Sequence, residues 1–279
     1  LGTDSETRSV EALVAKAKAL KEEGITAYCL TGSYKVPTLT LTGNIARDIT
    51  FIDEIIGTKV AISDHRSSYP TPNELIKLVS ETRRAGMIAN KPGIVTIHMG
   101  DGKGSFEPLF NLLKKTDIPI FYLRPTHVGR LSLNDQLKFN KLGGYLDYTA
   151  IPIETNASRA TSDKINQLII NGGRKDKITI SSDGNGSFPV WDENDNLISF
   201  KKGGLENNFN IIKELVNKYK YNLEDVLPFV TKNIAESLRI SNRKGIIQEG
   251  ADADILLLDE KNIEITDVIA LGKHIKNFK

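Results

Sequence analysis

"IVTIHMGDGKGSFEPLFNLLKKTDIPIFYLRPTHVGR", residues 94–130, holds two short apolar runs, Ile94–Met99 and Ile118–Leu123, each followed by a polar loop. Runs of this length that are rich in β-branched and aromatic residues read as buried strands, and the stretch between them has room for a helix. The same alternation continues outward on both sides. Upstream lie candidate strands at "TAYCL" (Thr26–Leu30) and "KVAIS" (Lys59–Ser63), downstream at "YLDYTA" (Tyr145–Ala150) and "KITISS" (Lys177–Ser182). Helices are expected in the gaps. From Ser9, "SVEALVAKAKALKEEG" carries apolar residues at helical spacing and stops at Gly24, while Thr71, Pro72 and Glu74 form the signature of a capping box.

Strands alternating with helices argue for a parallel sheet, hence an α/β fold. A doubly wound sheet and a barrel both satisfy the alternation. Here unusual polar residues follow nearly every strand, a ring of the kind found on the C-terminal face of a (β/α)8 barrel, and six units leave such a barrel two strands short. "LGTD" at the start reads as the end of one of them. "FPVWDENDNLISFKK" (Phe188–Lys202) reads as an inserted hairpin in which Trp191 packs. Two helical stretches, "NNFNIIKELVNKYK" and "NLEDVLPFVTKNIAESLRI", precede β-like runs such as "DADILLLD" (Asp252–Asp259). The expected division is therefore a TIM-type barrel over residues 1–243, incomplete at its N-terminal end, and part of a small β domain over residues 244–279.

The 279 residues are 39% hydrophobic and 26% charged, and 37 basic against 35 acidic residues leave a net charge of +2 with no dense basic block. That balance argues against a nucleic-acid or membrane partner and for a small-molecule one. The single cysteine, Cys29, sits in an apolar run and reads as a small buried hydrophobe, which suits a cytoplasmic protein without disulfides.

Two of the four histidines, His98 in "VTIHMGD" and His127 in "RPTHVGR", hold equivalent positions at successive strand ends. Imidazole is a common zinc ligand, and strand ends of a barrel face one pocket. Singly, either histidine would more simply be structural. Lys59 opens an apolar strand, where an unpaired ammonium is costly, although strand-flanking lysines often snorkel to solvent. Asp183 in "ISSDGNGS" could order a turn, or could bind metal and accept a proton from water.

Together, a lysine, two histidines and an aspartate at successive strand ends resemble the pattern of the amidohydrolase superfamily, as does the tail "GIIQEGADADILLLD". Within it the resemblance is to the isoaspartyl (β-aspartyl) dipeptidase family, over essentially the whole chain, through "LTGSYKVP", "AISDHRSSYP", "HMGDGKG", "PTHVGR" and "SSDGNGS". The resemblance implies a carboxylated Lys59 bridging two zinc ions, His98 and His127 on one zinc, and Asp183 on the other and acting as general base. It implies that Tyr34 donates to the scissile amide oxygen as that oxygen gains charge. Arg66 and Arg130 would hold the dipeptide's carboxylates through their planar forks, with Thr3 and Ser187 as further substrate contacts. His65 would be a supporting or structural histidine, and His274 exposed. The implied reaction is hydrolysis of β-aspartyl dipeptides by metal-activated hydroxide, in a homo-oligomer.

The family's His-x-His pair and its amine-binding glutamate do not occur in these residues and are expected upstream of Leu1, so the chain as given is expected to be inactive alone. Manganese or cobalt would suit the same ligands. Alternatives are another amidohydrolase, either a dihydroorotase-like cyclic amidase or an N-acyl amino acid deacylase, and a non-catalytic barrel relative.

Overall fold

The computed structural model describes residues 1–153, 159–192 and 196–277, with the backbone alone at 187–189, 191 and 277. In chain order the elements are α1 (Val10–Glu22), β1 (Cys29–Gly32), α2 (Ile45–Phe51), β2 (Ile55–Ile62), α3 (Pro72–Ala89), β3 (Ile94–Met99), α4 (Glu107–Lys115), β4 (Leu123–Thr126), α5 (Leu133–Lys141), β5 (Leu146–Thr149), α6 (Thr161–Ile170), β6 (Ile178–Ser181), the hairpin strands β7 (Ser187–Trp191) and β8 (Leu197–Lys202), α7 (Asn207–Asn217), α8 (Leu223–Val226), α9 (Lys232–Ser237), and β9 (Ile255–Asp259), β10 (Glu264–Ala270) and β11 (Lys273–Asn277).

Six strands form one parallel sheet in the order β1 to β6, each hydrogen-bonded to the next in sequence. A doubly wound sheet reverses its strand order at a switch point; this one never does. An unreversed parallel order places every crossover helix on the same side and leaves the other side as a lumen, so these strands are six staves of a (β/α)8 barrel. A separate antiparallel sheet, β11-β10-β9, follows at the C-terminal end, and β7 and β8 pair as the expected hairpin.

The two faces of the strands differ in chemistry. Val95, Ile97, Leu123, Leu146, Tyr148, Ile178 and Ile180 are fully buried in the apolar core. The alternate residues meet in the lumen, where Asp147 accepts hydrogen bonds from Thr126 Oγ1 (2.7 Å), Thr179 Oγ1 (2.7 Å) and Ser181 Oγ (2.6 Å) on the flanking strands. A buried carboxylate needs such partners, and three hydroxyls supply them.

Several local signals act as read. Ser9 caps α1 through the Ala12 N–H, and Thr71 and Glu74 close the capping box of α3 in both directions. Cys29 is buried. Other expectations need correction. The apolar run at residues 118–123 is not a strand: residues 120–122 make a 3-10 turn after Pro119, and β4 starts at Leu123. β1 lies two to three residues later than "TAYCL", and β2 begins at Ile55, so Lys59 sits within a strand rather than opening one. The helix expected in the gap between the first two strands is α2, capped by Asn44. The segment at residues 222–240 breaks into α8, a 3-10 turn carrying Pro228, and α9, because proline removes the donor a continuous helix needs. Among the described residues no helix is long and apolar enough to cross a membrane.

Candidate active site at the C-terminal ends of the strands

Parallel strands all end on one face, so residues at or just beyond their C-termini converge there without being close in sequence. Ala61 pairs in register with His98, and His98 with Thr126, which sets His98 beside the end of β2 and one residue from His127. The two imidazoles meet edge to face with centroids 4.5 Å apart. His127 takes a left-handed backbone (φ 64°), which turns its ring away from the strand path, and its Nδ1 lies 2.6 Å from Thr149 Oγ1. Burial pushes His98 down to about 4 and His127 well below the usual histidine range, so both rings are neutral near pH 7.

Tyr34 lies in the loop after β1, where its N–H donates to the Gly2 carbonyl (3.1 Å). The buried phenol faces His98, with its oxygen 2.6 Å from Nδ1. Burial pushes the hydroxyl up to about 12, so it keeps its proton and can donate. Lys59 projects from mid-β2, with its ammonium 5.9 Å from the Tyr34 ring centre. Desolvation lowers its pKa against the attraction of Asp183 and Asp147, moving the amine toward the neutral form.

Asp64 and Arg66 lie in the loop after β2. The guanidinium grips the Asp64 carboxylate through Nε (2.9 Å) and Nη2 (2.8 Å), and lies 5.4 Å from the Tyr34 ring centre. Asp64 Oδ2 also lies 2.8 Å from His98 Nε2. Burial alone would raise the Asp64 pKa, but the bonds from Arg66 and His98 hold it far below the usual carboxylate range. The loops after β2 and β3 touch through glycine: a Cβ on Gly100 would lie 2.0 Å from the Ser63 carbonyl oxygen, so "HMGDG" can follow that backbone only without a side chain.

The remaining expected residues are more dispersed. Asp183 follows β6 with φ 46° and is exposed; a Cβ on Gly186 would sit 3.0 Å from its Oδ2, which again favours glycine. Its charge acts on Lys59 and Tyr34. Arg130, exposed in the 3-10 turn after His127, is attracted by the Asp101 and Asp64 carboxylates. Thr3 is exposed in the opening turn. Ser187 opens β7, and its side chain lies outside the described residues, as does that of Trp191. His65 is exposed, with Nδ1 3.7 Å from Asp64 Oδ1, and His274 is largely exposed beside Asp267 (3.1 Å).

Sequence reasoning passed over Asp64 and Asp147. The first sits two residues before Arg66, a spacing that lets a carboxylate bond the backbone and side chain of the same arginine; the second is an acid within a short apolar strand. Either oddity could have drawn attention.

Two neutral imidazoles, an amine driven toward neutrality and a carboxylate are a donor set suited to a divalent metal. Among the described residues no three His, Cys, Asp or Glu side chains are close enough to hold an ion by themselves, so a metal here would need the Lys59 nitrogen counted with them. The donors fit such a group on that condition.

Residues 6–275 match the amidohydrolase family. A crystal structure of a β-aspartyl dipeptidase from the thermophilic keratin-degrading Fervidobacterium islandicum AW-1, in complex with β-Asp-Leu dipeptide, is 43% identical with a TM-score of 0.90, covering 99% of this chain and 73% of that one. A second structure of the dipeptidase from the same organism is 41% identical (TM-score 0.89, covering 99% and 71%). A D-hydantoinase, 16% identical with a TM-score of 0.60 over 98% of this chain and 75% of that one, shares the fold.

Proposed function

The chain belongs to the amidohydrolase family, a family of hydrolases, and on that premise we propose that it is a dipeptidase cleaving the amide between an aspartyl side-chain carboxyl and the following amino acid. The observation that carries this reading is the Arg66 guanidinium, braced by Asp64 and packed over the phenol that faces His98. It sets a carboxylate-binding group beside a hydrogen-bond donor of the kind an amide oxygen requires. The 43% identity to an enzyme crystallised with β-Asp-Leu supports the same substrate.

Two zinc ions would be held by a carboxylated Lys59, His98, His127 and Asp183, and when bound they supply Lewis acidity toward water and the amide carbonyl. Arg66 and Arg130 bind the carboxylates of the dipeptide and set its direction. Thr3 and Ser187 add contacts at the rim. Tyr34, protonated at neutral pH, donates from Oη to the carbonyl oxygen as charge develops there. Asp183 accepts the proton of the attacking water and returns it to the leaving amine. Residues 1–243 form the catalytic barrel and residues 244–279 belong to a small β domain.

The test is hydrolysis of β-Asp-Leu and of the α-linked isomer by the zinc-loaded full-length protein. Selective cleavage of the β-linked peptide is expected. Cleavage of neither by folded, metal-loaded protein would refute the reading.

A further inference from the structure

Asp64 belongs to neither the donor set nor the pair of substrate arginines, yet it is bonded to both. Oδ1 accepts from the Arg66 backbone N–H (2.8 Å) and Nε (2.9 Å), while Oδ2 accepts from Arg66 Nη2 (2.8 Å) and lies 2.8 Å from His98 Nε2. The Asp64 side chain is 2% exposed and that of Arg66 36%, so the carboxylate is the buried anchor and the guanidinium the part that reaches outward.

An ionised carboxylate only accepts. Arg66 Nη2, which can only donate, also lies 3.1 Å from Nε2, so the two contacts cannot both be hydrogen bonds; the shorter one, 2.8 Å to the anionic carboxylate, places a proton on Nε2 and leaves Nδ1 its lone pair. Nδ1 is the nitrogen that faces the Tyr34 hydroxyl at 2.6 Å. A carboxylate bonded to the far nitrogen of an imidazole fixes ring and tautomer in this way wherever the near nitrogen serves as a ligand. On Arg66, the Nε/Nη2 edge is occupied by Asp64, which leaves the Nη1 end as the part that can meet a substrate carboxylate.

We propose that Asp64 is a positioning residue with two outputs: it holds His98 as the Nε2–H tautomer with Nδ1 turned into the site, and it sets Arg66 so that only the Nη1 end is offered to substrate. One short loop, "SDHR" (Ser63–Arg66), thus couples ligand geometry to substrate recognition. The output toward substrate rests on the dipeptidase reading; the tautomer does not.

The first measurement is the ¹⁵N spectrum of the histidines in the metal-free full-length protein. The Nε2–H form of His98 is expected, and the Nδ1–H form would overturn the proposal whether or not any variant folds. Asp64→Ala should mix the tautomers, weaken zinc binding in chelator competition by about 10- to 100-fold, and raise KM for β-Asp-Leu. Arg66→Ala should raise KM while leaving zinc affinity unchanged. A folded Asp64→Ala protein that binds zinc like the wild type would also overturn it. If no β-aspartyl peptide is cleaved while the tautomer and zinc results hold, the dipeptidase reading fails and the role of Asp64 at His98 stands.

Discussion

Among the described residues the Tyr34 hydroxyl faces His98 Nδ1, and burial keeps it protonated up to about pH 12. Removing the hydroxyl should therefore cost transition-state stabilisation rather than folding or ground-state binding. Tyr34→Phe is expected to lower kcat by about 10²- to 10³-fold with KM little changed, as steady-state kinetics on β-Asp-Leu would show. A phenol whose pKa is raised keeps its proton as pH rises, so an alkaline fall in kcat well below pH 12 cannot come from Tyr34, and the same limb should persist in the Phe variant. At this scale the histidines were legible because imidazoles at two successive strand ends are rare by accident. Asp64 was not, because its importance lies in four short contacts that spacing alone does not reveal.

Among the elements, the contact between the loops after β2 and β3 is the most exacting. A methyl on Gly100 would overlap the Ser63 carbonyl oxygen at 2.0 Å, and relief requires moving either His98, two residues before it, or Asp64, one residue after Ser63. Gly100→Ala is expected to destabilise the fold by about 1–3 kcal/mol in urea titration and to lower kcat/KM. Thr71→Ala is the contrasting case: the Thr71 side chain bonds Glu74 rather than any residue of the site, and its loss removes the α3 capping box. It should cost about 1 kcal/mol, read as a lowered Tm, with KM unchanged. Near the other end of β2, buried Glu54 accepts from Lys18 and Lys21 on α1 (both 3.2 Å). Burial opposes its charge, yet its own backbone N–H and then the two ammonium groups hold its pKa below its ordinary 4.5. A depressed carboxylate stabilises the fold above its unfolded pKa and loses that contribution as pH falls through its folded one. Glu54→Gln should thus be less stable than wild type near pH 7, with the difference in Tm closing as pH falls below 4.5. The position of β4 escaped sequence reading because the true strand, "LRPT", turns Arg124 and Thr126 toward a polar lumen and so lacks the apolar look of a core strand.

For the molecule as a whole, the alternation of strands and helices announced a parallel α/β fold, and the ring of polar residues after the strands pointed to a barrel over a doubly wound sheet. Hydrogen-bonded strand order decided it, and no reading of composition contains that order. Composition was equally silent on the lumen, where Asp147 gathers three hydroxyls from two neighbouring strands. Asp147→Ala strips all three of their acceptor and should lower stability by about 1–3 kcal/mol in urea titration, although Asp147 is not part of the proposed chemistry.

The unreversed order of β1 to β6 also bears on how the protein comes into being. Each stave finds its neighbour in the next stretch of chain to leave the ribosome, so the wall can lengthen during synthesis by one crossover and strand at a time. Structure then accrues in instalments, and the working centre spans them: Tyr34 follows the first of these staves and Asp183 the last. A nascent chain halted just before β6 would own five of these staves, with Tyr34, Lys59, His98 and His127 already made, and still lack Asp183.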